Sequence, residues 1–110
     1  MMGLDELVAA IAALQRSDLD AWIEQQFVVP RQEGGALVLT DQDCARVRLI
    51  CTLHYDLEID ADTLPVVMSL VDQLYDTRQR LLSLTAAVAT QDKDVQAAIM
   101  AALGERDDKP

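Results

Sequence analysis

Apolar residues recur at intervals of three and four from the start of the chain. Leu4, Leu7, Val8, Ile11 and Leu14 share one helical face. Ala9, Ala10, Ala12 and Ala13 lie between them and favour the same conformation, so a first helix is predicted over 4–14. Ser17 then offers an N-cap, with Asp20 three residues later as a shortened capping box. Leu19, Trp22 and Ile23 form the inward face of a short second helix, and Asp18, Asp20 and Glu24 its outer face. Val28-Val29-Pro30 ends it, because proline pushes the preceding residue into extended geometry.

The period then changes. Val28-Val29-Pro30-Arg31 and Ala36-Leu37-Val38-Leu39 flank a polar Gln32-Glu33-Gly34-Gly35 turn, which reads as a small β-hairpin. Thr40 caps a third helix, with Asp41 and Asp43 at the positive end of its dipole. Cys44, Val47, Ile50, Cys51 and either His54 or Tyr55 line its apolar face. After the link Asp56-Leu57-Glu58-Ile59-Asp60, Asp62 or Thr63 caps a long helix, and Pro65 is tolerated in its first turn.

That helix carries heptads. Val67, Leu74, Leu81 and Val88 fall at one core position, and Leu70, Thr77 and Leu84 at the other. Roughly 25 residues of helix span about 37 Å, too much for so small a domain to cover alone. Val67, Leu70, Leu74, Leu81, Leu84 and Val88 are therefore expected to form a seam, either between two copies of the chain or within an intramolecular hairpin, with the dimer favoured. Val95, Ala98, Ile99, Ala102 and Leu103 make a short final helix that Gly104 stops, ahead of a frayed tail over 105–110.

Charge changes this picture. The 110 residues carry 19 acidic against 9 basic side chains, a formal net charge of -10. With 51% apolar and 25% charged residues the chain is globular. A nucleic-acid binder draws most of its non-specific affinity from neutralised phosphates, so nucleic acid is not the expected partner. A basic protein face is, since opposite fields speed encounter. Cys44 and Cys51 would lie roughly 10 Å apart on one helix, beyond the reach of a disulfide at about 7 Å, so buried reduced thiols are expected. No signal peptide or long apolar run is evident, which predicts a cytoplasmic protein without membrane contact.

The order helix, turn, helix over Leu19-Asp20-Ala21-Trp22-Ile23, then hairpin, then Leu39-Thr40-Asp41-Gln42-Asp43 resembles the MerR-type winged helix-turn-helix. Within that group the chain is similar to the CbpM-type chaperone modulators. Ser17-Asp18-Leu19-Asp20, Val28-Val29-Pro30-Arg31, Leu53-His54-Tyr55-Asp56-Leu57-Glu58-Ile59-Asp60 and Met68-Ser69-Leu70-Val71-Asp72-Gln73-Leu74 carry the likeness. It covers about residues 4–90; the segment from Gln91 onward lies beyond the pattern.

The resemblance implies a mainly α protein. Residues 1–60 would be a winged helix-turn-helix region with a hairpin wing, and 61–104 a helical dimerisation segment. It further implies binding to the J domain of a DnaJ- or CbpA-like co-chaperone, blocking its stimulation of the DnaK ATPase. The nucleoid would then be reached through that partner. The alternative is a MerR-type DNA-binding transcriptional regulator, dimeric and reading the major groove through its second helix.

Candidate contact residues each have a plainer reading. Asp18, Asp20 and Glu24 would dock a basic helix, or simply face solvent and stabilise a helix N-terminus. Asp56, Glu58, Asp60 and Asp62 would extend that surface, or serve as caps. They lack the glycine and distal glutamate of a calcium loop. Trp22 fits a core position better than an exposed anchor. Arg31, Arg46 and Arg48 are the one basic group suited to phosphate, and pairing with acids such as Asp43 is the simpler account. His54 has no positioned nucleophile, and Asp72 and Asp76 have no histidine on a facing helix. No enzyme, cofactor or metal is expected.

Overall fold

The computed structural model describes residues 1–107. Among these, five helices and one three-stranded antiparallel sheet are present, so the chain is mainly helical. It divides into two compact units, Met1–Ser69 and Leu70–Pro110. From the sequence the chain reads as one compact domain with regions 1–60 and 61–104. The division between the two units falls inside the long helix, whose first turns, with Leu64 and Met68, belong to the core of the first unit.

In the first unit, strand β1 (Met2–Gly3) leads into helix α1 (Leu4–Ala10). The predicted helix over 4–14 therefore ends early. Ile11 is extended, at φ -111° and ψ 105°, and the turn it makes carries Leu14 into the core. Burying Leu14 outweighs the helix preference of Ala12 and Ala13, a weak prior that packing overrides.

Helix α2 (Arg16–Glu24) begins one residue before Ser17. The expected cap is thus a correction: Gln15 is the N-cap and makes no side-chain cap bond. The helix closes through Gln26, at φ 64°. The Phe27 amide donates to the Trp22 carbonyl at 2.9 Å and the Gln26 amide to Ile23 at 3.0 Å. This is a Schellman ending with glutamine where glycine is usual.

The hairpin forms from β2 (Arg31–Glu33) and β3 (Ala36–Leu39). Gly34 and Gly35, at φ 56° and 79°, supply the two positive angles a tight hairpin turn needs. The strand starts at Arg31 rather than Val28, since Pro30 lacks the amide a ladder requires. The sequence did not foretell β1, which pairs with the other edge of β3, Met2 opposite Leu39 and Gly3 opposite Val38.

Helix α3 (Asp41–Cys51) opens as expected. Thr40 Oγ1 accepts from the Asp43 amide at 3.1 Å, and the Asp43 carboxylate accepts from the Thr40 amide at 3.0 Å. Such a cap is worth about 1 kcal/mol. The helix widens into one π turn, Thr52–Asp56, closed by the Leu57 amide on the Thr52 carbonyl at 2.9 Å. Helix α4 (Leu64–Ala89) follows. Its Leu64 and Met68 join Leu7, Leu19, Trp22, Val28, Leu39, Val47 and Ile50 in the core.

In the second unit, α4 continues to Ala89 and α5 spans Lys93–Asp107. Gly104 does not stop α5, and Glu105–Asp107 extend it, so that part of the expected tail is helical; residues 108–110 lie outside the described residues. Gln96 Nε2 donates to the carbonyls of Gln91 at 2.7 Å and Ala89 at 3.3 Å. It thereby satisfies groups that the end of α4 leaves open.

Candidate functional site

Two acidic segments far apart in sequence are tied together by one phenol. The π turn carries Tyr55, whose hydroxyl donates to Asp18 Oδ2 on α2 at 2.6 Å and accepts from the Gln15 amide at 3.1 Å. Beneath it the Trp22 ring meets His54 edge-on at 6.1 Å and Tyr55 at 6.2 Å, and His54 and Tyr55 lie 5.2 Å apart. His54 Nδ1 sits 2.8 Å from the Ile59 carbonyl, so the proton on that nitrogen points at the oxygen. π turns recur at functional sites. Here the wider turn presents consecutive aromatic rings to the same tryptophan.

Burial, and then the bond to Asp18, push the Tyr55 phenol up to about 12 from its ordinary 10.0. A group whose pKa is raised by folding contributes stability that is full below its unfolded value and is lost as pH climbs through the folded one. The Tyr55 contribution is therefore complete below pH about 10 and disappears between about 10 and 12. In an ultraviolet titration, wild type minus Tyr55→Phe should show one phenol ionising near 12. A midpoint at the ordinary value would disprove the clamp.

The predicted contact residues divide by environment. Asp18 is half-buried and committed to Tyr55. Asp20 is exposed and accepts from Arg16 Nε at 3.1 Å, while Arg16 also bonds Asp5. Glu24 is exposed at the last position of α2, where the helix dipole disfavours an anion. Asp56, Glu58 and Asp62 are exposed, and Glu58 takes a positive φ of 56°. Asp60 caps the segment ahead of α4, accepting from the Thr63 amide at 2.7 Å. Hydrogen bonds from Thr63 hold its carboxyl below the ordinary value.

Asp56 and Tyr55 also border a cleft of about 230 Å³ with Ile11, Arg48, Cys51 and Thr52. Burial, reinforced by Asp18 and Asp56, pushes the Cys51 thiol up. Both cysteines are free.

Other residues find structural partners. Trp22 is buried at 4% exposure, as its spacing predicts, and so is not an anchor. Arg46 Nε donates to the Phe27 carbonyl, while Arg31 and Arg48 are exposed. Asp72 and Asp76 are exposed on α4. Among the described residues no group of three His, Cys, Asp or Glu side chains is placed to hold a metal. Among the described residues no helix is long and apolar enough to cross a membrane. Sequence reasoning missed Arg16 with Asp5, and the pairing of Tyr55 with Asp18.

In the second unit the heptad stripe is open. Leu70, Leu74, Leu81 and Leu84 are 59–70% exposed, and Val88 is half-buried. The stripe's Leu81, Leu84 and Val88 line an apolar cleft of about 300 Å³ between α4 and α5. No family model, curated protein or solved structure matches this chain.

Proposed function

We propose that this chain is a chaperone modulator that binds the J domain of a DnaJ-like co-chaperone and blocks its action on DnaK. The observation that carries the reading is the Tyr55–Asp18 bond. It fastens α2 to the turn bearing Asp56, so the exposed acids of two segments 37 residues apart are carried on one rigid unit that could meet a basic helix. The order α1, α2, hairpin supports reading residues 1–60 as a winged helix-turn-helix turned to protein recognition. Three of the four motifs quoted for the CbpM-type modulators fall within it, and the fourth, Met68–Leu74, lies on α4. The exposed seam supports a homodimer, and the cytoplasm is the compartment in which such a partner is met.

A DNA reader is the weaker reading. Its second helix would bring Asp20 and Glu24 toward phosphates, against the electrostatic term that dominates such binding.

Calorimetric titration of a purified J domain into the full chain tests the proposal. Binding is expected at low salt and should weaken roughly tenfold as the Debye length falls from about 30 to about 8 Å. J-domain-stimulated DnaK ATPase should drop to its unstimulated rate. Absence of binding at low salt, or affinity indifferent to salt, would overturn it.

A further inference from the structure

Two uncharged stretches of the second unit meet across a cleft. No charged residue lies from Leu81 to Gln91 or from Val95 to Gly104, and between these stretches α4 and α5 enclose about 300 Å³. That volume is at the lower end for small-molecule sites, which are mostly apolar with few polar groups. Leu81, Leu84 and Val88 line it from α4, and Ile99, Met100 and Leu103 from α5. Thr85 is the polar residue of this lining, and its hydroxyl already donates to the Leu81 carbonyl at 2.8 Å. A donor or acceptor placed there would go unpaired, so the buried part of an occupant is hydrocarbon.

The two ends of the cleft differ. Beside Val88 the chain turns back, and Gln96 ties that turn by donating to the Ala89 and Gln91 carbonyls. At the Leu81 end no turn joins the helices, and charge begins. Arg78 stands three residues before Leu81 and seven before Thr85, on the row of α4 that lines the cleft. It is exposed and forms no ion pair among the described residues. Val88 lies about 10 Å along the helix from Leu81. A saturated chain of about eight to ten carbons spans that distance, at bond lengths of about 1.5 Å. Its head group would then meet Arg78, about 4.5 Å beyond Leu81.

We propose that the α4–α5 cleft binds a medium-chain fatty carboxylate, its tail between Leu81, Val88 and Met100 and its head group against Arg78. This goes beyond J-domain binding and stands without it. Charge complementarity selects the head group. A guanidinium fork pairs with a carboxylate, whereas an ammonium would meet Arg78 with its own sign. Asp76 is two residues from Arg78 and so points to another side of the helix. The net charge of -10 does not forbid an anion here. The cleft walls carry no acid, and exposed charges more than about 8 Å away are screened at physiological salt.

Methionine-methyl NMR of the full chain, titrated with octanoate and decanoate below their micelle concentrations, decides the matter. Met100 lines the cleft, and Met68, 1% exposed in the core of the first unit, is the internal control. The Met100 signal should shift saturably while Met68 stays in place. Affinity should rise about fourfold per methylene from hexanoate to decanoate, the worth of a buried CH2, and level off in longer acids that outrun the cleft. Arg78→Gln should weaken octanoate roughly fivefold, the upper range for an exposed pair, and leave octan-1-ol unchanged. Arg80→Gln removes the same charge from another side of the helix and should leave octanoate binding as it is. Leu84→Glu, at a position 62% exposed, should abolish binding while circular dichroism shows the chain folded. An unmoved Met100, or Met68 and Met100 moving together, would overturn the site. Equal losses of acid and alcohol in Arg78→Gln would overturn the carboxylate as head group. A Met100 signal that shifts on dilution without ligand and ignores decanoate would give the cleft to a second copy instead. J-domain binding is measured separately and is untouched by any of these results.

Discussion

Trp22→Ala should remove about 3–5 kcal/mol of the stability of the first unit. The ring is 4% exposed and supports both His54 and Tyr55 at about 6 Å. Truncating a buried tryptophan costs about 3–5 kcal/mol, lost transfer energy plus the cavity left behind. Whole domains are stable by only about 5–15 kcal/mol. At roughly 4–8 °C per kcal/mol for a unit of this size, the Tm read by circular dichroism should fall by about 12 °C or more. The loss extends to the candidate site through packing, since the indole is the ring on which His54 and Tyr55 of the π turn rest. Trp22→Phe should recover part of the Tm and keep the high Tyr55 ionisation. A Trp22→Ala chain melting within a few degrees of wild type would show that the ring is not a core element.

What could be read from the sequence was whatever its local chemistry fixes. Thr40 and Asp43 satisfy each other within one turn, and Gly34-Gly35 makes its turn without help from elsewhere. The heptads of α4 are a matter of spacing alone. Features decided by distant residues were not legible. β1 is two residues long and exists because β3 has an unpaired edge beside it. α1 stops at Ala10 because Leu14 is needed in the core. Ser17 looks like a cap, yet α2 begins at Arg16, whose side chain reaches Asp20 and Asp5. Gly104 looks like a stop, yet α5 runs through it, since glycine inside a helix costs only about 1 kcal/mol. The candidate site follows the same division. Its acids could be picked out by composition. Their assembly through Tyr55 could not, because the bond joins residues 37 positions apart.

If the chain binds a J domain as proposed, reversing Asp20, Glu24 and Asp56 to lysine together should weaken that binding on the order of 100-fold. Exposed charge pairs contribute about 0.2–1 kcal/mol each. Reversal turns each attraction into a repulsion, so three positions amount to roughly 3 kcal/mol, or two decades of Kd. Asp18 is left in place because it holds Tyr55; replacing it would confound recognition with folding. The fold should tolerate the change, since all three side chains are exposed and Arg16 keeps Asp5 when Asp20 is lost. Net charge falls in magnitude by the same amount if Asp72, Asp76 and Asp94 in the second unit are reversed instead. That matched variant separates a local surface from the field of the whole molecule. A long-range field would weaken binding equally in both, mainly through the association rate. A docked basic helix would be lost only in the first, with faster dissociation as well. Equal losses would mean that the chain attracts its partner by net charge alone, and that the surface joined by Tyr55 is not where the partner sits.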